Sequence, residues 1–335
     1  MLKETTPAEA KDRYLREKRT HVSQKTLHNY TAALNAFADW LVNNGYLDMR
    51  DVDSNVIEQY KDYRLQKVKP ITARNDLWTI KGFIQACERY QAVSLGTYDL
   101  VQPPQVRPED EICDDVLTRE EAQAILEHLE KFEYASLRHV IVLILWKTGM
   151  RIGGLRALDV GDFDGDRPAL EVRHRPEQGT PLKRRLNSER DVLLTDSASD
   201  VILDYLDTSR PSVTDDYGRK PLIATDHGRA ARTTITRHVY GSTRPCFYSN
   251  SCPFDDKPDP ENCEATSWNM ASKCPGSVSP HALRRGYVTA ARNAGQPKEI
   301  TSERVNMSGK ILEKHYDKGT HDEKAERRKE FLKDI

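Results

Sequence analysis

Long apolar runs are missing from this 335-residue sequence, and so is a large excess of charge of either sign. The most apolar stretch, Val140 to Trp146, is far shorter than the roughly 18 residues that a membrane-spanning helix needs. The first residues lack the apolar core of a signal peptide, so we expect a cytoplasmic protein. The formal net charge of -1 gives no global argument for nucleic acid binding.

Basic charge is nevertheless concentrated towards the C-terminus. Residues 271–335 contain 14 lysines and arginines against 9 aspartates and glutamates. Such a local surface can hold a phosphate backbone, although a solvated face of mixed charge is the simpler interpretation. Internal repeats, low-complexity tracts and compact carboxylate clusters are also missing, and the lack of carboxylate clusters disfavours a metal-dependent nuclease.

Residues 1–102 have the pattern of a helical bundle. Capping residues at Ser23 precede apolar residues at helical spacing from Leu27 to Leu41, and Gly45 ends this predicted helix. A later segment places five residues on one helix face, namely Leu77, Ile80, Phe83, Ile84 and Cys87. Three prolines and a charge run follow, and they cannot continue a helix. We therefore predict three or four helices around one core, with residues 103–117 as a linker.

Residues 118–335 predict a second domain of mixed α and β structure. Thr118 and Glu121 can form a capping box at the start of one helix, and an apolar helix follows over Leu137 to Lys147. Alternating polarity in residues 169–174 and 189–194 predicts a β-hairpin with a basic tip. Ser279 and Pro280 open a later helix. The chain is therefore expected to be mainly α with a small β-sheet.

Tyr316 and two arginine motifs are the candidate chemical groups. A phenol, with a pKa of about 10, is a poor nucleophile unless cations or a base assist it. The motifs are Thr148-Gly149-Met150-Arg151 and His281-Ala282-Leu283-Arg284. His281 and Arg284 are three residues apart near a helix N-terminus, where an anion is favoured. Taken alone, this second motif is weak, and a surface histidine beside an arginine is its simpler explanation.

In combination, the motifs resemble those of the tyrosine recombinase, or phage integrase, family. Residues 148–158 resemble the family's first arginine box, and residues 190–194 resemble the strand that closes its catalytic hairpin. Residues 281–284 resemble the second box, and Tyr316 follows Arg284 by 32 positions, where the family keeps its nucleophile. The resemblance implies a helical core-binding (SAM-like) DNA-binding domain over residues 1–102 and an α+β catalytic domain over residues 118–335.

The resemblance also implies a site-specific recombinase that cuts and rejoins double-stranded DNA attachment sites. Tyr316 would attack the scissile phosphate, giving a 3′-phosphotyrosyl link and a free 5′-hydroxyl. Arg151 and Arg284 would clamp the non-bridging oxygens, Lys183 would protonate the leaving 5′-oxygen, and His281 would assist proton transfer. This catalysis uses no cofactor. Recombination would require a homotetramer in the synaptic complex.

The sequence departs from the family pattern in three places. The family usually has a carboxylate three residues after the first arginine, where this chain has Gly154. It usually has His or Trp about nine residues before the tyrosine, and the substitutes here are Asn306, Ser308 or His315. Lys183 is followed by Arg184 and Arg185, so the register of the lysine is open, although only a lysine among the three could act as an acid.

Four cysteines lie in a polar insertion at about residues 244–278, namely Cys246, Cys252, Cys263 and Cys274. One tetrahedral zinc would supply the folding energy that such a segment lacks. The CxxC spacing of standard zinc sites is absent, so free thiols and disulfides stay open as alternatives. Cys87 lies on an apolar face and is expected in a core.

Two further functions remain compatible with the sequence. The chain could be a catalytically silent DNA-binding relative in which Tyr316 only packs its ring. It could also be a type IB topoisomerase, which shares the tyrosine chemistry but relaxes supercoils without exchanging partners. The charged tail His321–Ile335 either docks on a neighbouring protomer or forms a solvated helix.

Overall fold

The structure, a computed structural model, describes residues 2–107, 110, 114–254 and 262–329. It divides into two compact units, Met1–Cys113 and Asp114–Ile335, and this division falls inside the segment 103–117 that was interpreted as a linker. No helix in these described ranges is long and apolar enough to cross a membrane.

The first unit is built from helices that their caps and apolar faces predict. They are α1 (Pro7–Lys18), α2 (Gln24–Asn43), α3 (Ser54–Lys67), α4 (Pro70–Arg89) and the short α5 (Thr97–Leu100). The side chain of Ser23 accepts from the Thr26 amide at the start of α2, and Asp53 caps α3 in the same way. Gly45 follows α2 with φ 86°, a left-handed conformation that suits glycine. The predicted helix boundaries at Ser23 and Gly45 are thus found in the structure.

The core of this unit forms where α2, α3 and α4 face one another. All five residues predicted on one face of α4 are buried, and Phe37 and Tyr60 pack edge-on against each other with ring centroids 4.8 Å apart. Cys87 is among the buried residues, as its position on the apolar face predicts. Burial of apolar side chains in this way is the main contribution to the stability of a small helical bundle.

The second unit contains ten helices among its described residues. They are α6 (Arg119–Phe132), α7 (Leu137–Thr148), α8 (Ile152–Ala157), α9 (Asp196–Asp204), α10 (Arg232–Ser242), α11 (Pro245–Ser249), α12 (Pro280–Asn293), α13 (Lys298–Val305), α14 (Gly309–His315) and α15 (His321–Lys329). The capping box of Thr118 and Glu121 opens α6. Residues 139–146 of α7 are all buried, so this helix is the centre of the unit's core. It therefore fixes where its C-terminal neighbours, Gly149 and Arg151, are placed.

The β-structure is small and antiparallel. Strands β1 (Phe163–Asp164), β2 (Ala169–Val172) and β3 (Arg190–Leu193) form one sheet in that order, with Ala169 opposite Leu193 and Val172 opposite Arg190. A separate hairpin joins β4 (Ala224–Thr225) and β5 (Gly228–Arg229). The predicted hairpin corresponds to β2 and β3. Strand β1 and the second hairpin are too short to leave a pattern in the sequence.

A buried ion-pair network braces the end of α8. Arg229 pairs with Asp159 and lies 2.7 Å from Asp215, and its guanidinium also donates to the Arg156 carbonyl at 2.8 Å. Arg219 and Arg175 extend the network to further carboxylate oxygens. Buried charges need partners of this kind, and breaking such a pair costs several kcal/mol. The helix that follows Arg151 is thereby held at its C-terminal end.

Candidate active site

Arg284 lies at the centre of the candidate site, on the first turns of α12. Its side chain is only 1% exposed. The guanidinium donates to the Gly149 carbonyl and, at 2.6 Å, to the Val305 carbonyl. Gly149 ends α7 in a left-handed conformation with φ 59°, and a Cβ there would meet the Tyr287 ring. Arg284 therefore joins the ends of α7 and α13 through main-chain oxygens, and only glycine fits the first of these positions.

Arg151 is held by a main-chain oxygen rather than by a carboxylate. It is the N-cap residue of α8, directly after the α7 terminus, and its Nη1 donates to the Asn306 carbonyl at 3.2 Å. Asn306 has φ 52°, the left-handed conformation that asparagine tolerates better than most residues. At position 154 a buried glycine stands where the family has its carboxylate. The orienting contact that the sequence could not identify is therefore the Asn306 carbonyl.

Two further arginines, Arg190 and Arg304, were not identified from the sequence. Arg190, at the start of β3, donates to the carbonyls of Arg304 at 2.9 Å and Ser188 at 3.0 Å. Arg304 donates to the Leu193 carbonyl at 2.7 Å and to the Tyr287 hydroxyl at 2.6 Å. These contacts attach the end of α13 to the β2–β3 hairpin. In the sequence, Arg190 could be noticed only as a basic residue at the start of a hairpin strand, and such residues are common.

None of these four arginines forms an ion pair with a carboxylate in the part of the chain that the structure describes. Burial, together with the charges of Arg151 and Arg304, lowers the pKa of Arg190 to about 10. Burial and the Arg151 charge also lower the pKa of Arg284. Arginine stays protonated even so, and the cluster is therefore an electropositive site with uncompensated charge. An anion such as a phosphate would supply the missing partner.

His281 and Lys183 belong to the same electrostatic environment. Desolvation and the charges of Arg284, Arg285, Arg151 and Lys183 lower the pKa of His281 to about 4. This pKa leaves the imidazole neutral at pH 7, and the residue is exposed to solvent. Lys183 lies in the exposed turn between β2 and β3. The charges of the predicted lysine and of both predicted arginines therefore all act on His281.

Tyr316 follows the last residue of α14, as its C-cap. The guanidinium of Arg284 lies 5.2 Å from the centroid of the tyrosine ring. The ring packs against an apolar cluster of Val288, Val305, Met307 and Leu312, and its main-chain carbonyl accepts from Thr289 at 3.3 Å. Backbone and ring are therefore both anchored beside the arginine cluster.

The next residue, Asp317, ties Tyr316 to the C-terminal helix α15. Arg327 forms a two-pronged ion pair with Asp317 at 2.7 and 3.0 Å, and both side chains are largely buried. The described part of the tail, residues 321–329, thus contacts its own unit. The remaining tail residues, 330–335, lie outside the described residues.

Met307 occupies the position nine residues before Tyr316, where the family usually has His or Trp. It is buried in the apolar cluster around the Tyr316 ring and carries no donor. Of the three suggested substitutes, Ser308 is exposed at the start of α14 and His315 is the last residue of that helix. The Oδ1 atom of Asn306 is buried without a hydrogen-bond partner among the described residues. Among these substitutes, Asn306 contacts a predicted site residue, because its main-chain carbonyl accepts a hydrogen bond from Arg151.

The four cysteines of the insertion are all in described residues, and all have free thiols. Cys246 lies on α11, Cys263 caps a 3₁₀ turn over Glu264–Thr266, and Cys274 ends a second turn over Ala271–Lys273. Within the described ranges, no group of three or more His, Cys, Asp or Glu side chains has the spacing of metal ligands.

Comparison with known proteins agrees with this architecture. The family model for the phage integrase N-terminal SAM-like domain matches residues 12–91. Among curated protein sequences, none matches the chain. Solved structures with a similar fold include a lambda integrase dimer bound to a COC′ core site, with a TM-score of 0.66 at 14% identity over 95% of this chain and 79% of that one.

Two further solved structures are similar to the same extent. The Tn1549 transposon integrase in complex with circular intermediate DNA has a TM-score of 0.63 at 14% identity, over 96% of this chain and 98% of that one. A lambda integrase tetramer bound to a Holliday junction has a TM-score of 0.64 at 14% identity, over 95% and 79%. The predicted fold class is thus confirmed: residues 12–91 match the phage integrase N-terminal SAM-like domain, and the chain has the mainly α fold of the lambda and Tn1549 integrases.

Proposed function

We propose that the protein is a site-specific DNA recombinase that cuts and rejoins DNA through a 3′-phosphotyrosyl intermediate on Tyr316. The observation that carries the proposal is the position of the buried Arg284 guanidinium, 5.2 Å from the Tyr316 ring centroid. The proposed reaction is an attack of the Tyr316 hydroxyl on the scissile phosphorus. The bond to the 5′-oxygen breaks as the phosphotyrosyl bond forms, and the free 5′-hydroxyl of the partner strand later reverses the step.

In this proposal, Arg151 and Arg284 bind the non-bridging oxygens of the phosphate. Each uses part of its guanidinium on main-chain carbonyls, which fixes its orientation before DNA arrives. The Nε atom of Arg284 is buried and has no hydrogen-bond partner among the described residues. Arg190 adds positive potential behind this pair. Preorganised charges of this kind stabilise the charge that develops in the transition state without reorganisation of the site.

Proton transfer is assigned to His281 and Lys183. The low pKa of His281 leaves its imidazole neutral at pH 7, so it can accept the phenolic proton of Tyr316. Lys183 is the candidate that protonates the leaving 5′-oxygen. Its position on an exposed turn allows it to approach DNA, and neither adjacent arginine can release a proton at neutral pH.

Covalent trapping tests the proposal directly. Nicked duplexes that tile the DNA flanking the gene would be incubated with the protein and resolved under denaturing conditions. Because the nick lets the short cleaved fragment diffuse away, the wild-type protein should accumulate a covalent adduct, and Tyr316→Phe should form none. Tyr217→Phe is the matched control, because Tyr217 is an exposed tyrosine of the same unit. An adduct that survives Tyr316→Phe rejects the proposed nucleophile.

Covalent trapping, together with a relaxation assay on supercoiled DNA, separates the other two functions. DNA binding without any adduct on the tiled duplexes would favour a catalytically silent relative. Relaxation of supercoiled DNA without exchange of strands between two duplexes would favour a type IB topoisomerase. We further propose that strand exchange requires four protomers, and the mass of the protein–DNA complex by light scattering would measure this number.

A further inference from the structure

The cysteine segment, residues 244–278, has almost no apolar core of its own. Among its described residues, only the small side chains of Ala265 and Ala271 are buried and apolar. Its large apolar side chains Phe254 and Trp268 are 54% and 41% exposed. Ordering a backbone costs about 1–2 kcal/mol per residue, far more than two buried methyl groups return. Phe247 and Tyr248 near one end of the segment and Val278 at the other end pack against the main core, and Trp268 packs against the His238 ring.

Contacts within the segment nevertheless join the stretches of chain that carry its four cysteines. Arg244 donates to the Ala265 carbonyl at 3.0 Å, which joins the chain beside Cys246 to the chain beside Cys263. A Cβ on Gly276 would lie 2.6 Å from Pro245 and 2.9 Å from Phe254, so the backbone beside Cys274 is in close contact with both. Every cysteine of the segment is within two residues of one of these contacts.

The thiols themselves lie in one neighbourhood. Cys274, Cys252 and Cys263 are all near enough to Cys246 to interact electrostatically with its thiol. Since all four are free, their sulfur atoms remain available as ligands.

We propose that Cys246, Cys252, Cys263 and Cys274 bind one structural zinc ion in a tetrahedral Cys₄ site. Binding exchanges the thiol protons for four zinc–sulfur bonds, and the protons are released to solvent. The described side chains are not yet at ligand spacing, so binding has to draw the thiols together by side-chain rotation and small loop movements. The guanidinium of Arg244 lies beside Cys246 and offsets part of the negative charge of a zinc with four thiolates.

The site would support the recombinase chemistry without taking part in it. The cysteine segment leads directly into α12, which carries His281 and Arg284. The Val278 amide donates to Thr243 Oγ1 at 3.0 Å, and Ser277 Oγ donates to the Ala271 carbonyl at 2.7 Å. A segment stiffened by zinc therefore fixes the point at which α12 begins.

Metal analysis of the full-length wild-type protein tests the site, and its outcome does not depend on DNA cleavage. We expect close to one zinc per chain after purification without added metal, and a loss of most of that zinc in the double variant Cys263→Ser/Cys274→Ser. Cys113→Ser, which removes a thiol outside the segment, should keep full zinc content. Zinc well below one per chain in the wild type would overturn the proposal, as would undiminished zinc in the double variant.

A second measurement covers the case in which the double variant fails to fold. Protein reloaded with Co²⁺ should show the visible absorption bands of a tetrahedral cobalt ion and the charge-transfer bands of cobalt–thiolate bonds. Their absence would refute a Cys₄ site. Titration of denatured, unreduced protein should find all four thiols of the segment, and a shortfall of two or four would identify disulfides instead.

Discussion

Replacement of Arg284 by lysine should separate DNA cleavage from DNA binding. The guanidinium directs donor groups to the carbonyls of Gly149 and Val305, and the Arg284 side chain also hydrogen-bonds with Tyr316. A lysine ammonium is a single point of charge on a flexible stem, so it cannot hold both carbonyls and also present a fork to the phosphate. The positive charge itself is retained.

Loss of one preorganised donor from a transition-state site costs about 2.7–4 kcal/mol, which corresponds to about 10²–10³ in rate. The rate of adduct formation in a single turnover on a nicked duplex should fall by that factor. Affinity for the same duplex should change by less than about tenfold, since one phosphate contact among many is altered. A gel-shift titration at fixed salt concentration measures this affinity.

Arg285→Lys is the matched control, because Arg285 is a buried neighbour on the same helix whose guanidinium donates to the Asp115 carbonyl at 2.8 Å. We expect it to retain cleavage within about fivefold, since less than 1 kcal/mol of transition-state stabilisation is at stake. Thermal melting of both variants would exclude unfolding as the cause. Equal losses in the two variants, or cleavage by Arg284→Lys within tenfold of wild type, would refute the reasoning.

Three other changes have defined expected results. Desolvation raises the pKa of Asp215, but hydrogen bonds from Arg229 and from main-chain amides lower it to about 2, so Asp215→Asn should lose about 2 kcal/mol of unfolding free energy at pH 7. This contribution is complete above the unfolded pKa of about 3.8 and declines as the pH falls towards 2, so urea titrations of the two proteins should converge there. In Gly286→Ala, the new Cβ would lie 2.0 Å from the Leu117 carbonyl oxygen, and we expect a loss of about 1–3 kcal/mol in the same titration, whereas an unchanged midpoint would contradict the packing. Arg327→Ala removes the two-pronged partner of Asp317, and we expect slower adduct formation with a stability loss of about 2 kcal/mol; unchanged adduct kinetics would show that α15 does not position Tyr316.

Local rules were enough to predict much of the fold. The capping box of Thr118 and Glu121, the apolar face of α4 and the helix end at Gly45 each depend on residues a few positions apart, and the structure contains all of them. Strand β1 and the β4–β5 hairpin were not predicted, because strands of two residues form only when a partner from elsewhere in the chain is present.

The candidate site was predictable only through its side chains. The order of Arg151, Lys183, His281, Arg284 and Tyr316 pointed to one chemistry, and the structure brings these residues to one region. The contacts that hold them were not predictable, because a carbonyl oxygen leaves no trace in a sequence. The carbonyl of Asn306 that orients Arg151 is 155 residues away from it along the chain. The buried carboxylates Asp159 and Asp215 were likewise recognised only when their arginine partners were in place.

Support by main-chain oxygens has a consequence for how this chain can diverge from its structural neighbours. Every residue type supplies a carbonyl, so the positions that hold Arg284, Arg151 and Arg190 can change their side chains while the arginines keep their acceptors. What such positions must keep is a backbone conformation, such as φ 59° at Gly149 and 52° at Asn306. A site built in this way can keep its geometry while sequence identity to proteins of the same fold falls to 14%. Searches for distant relatives should therefore give weight to residues that permit left-handed backbone at these two positions.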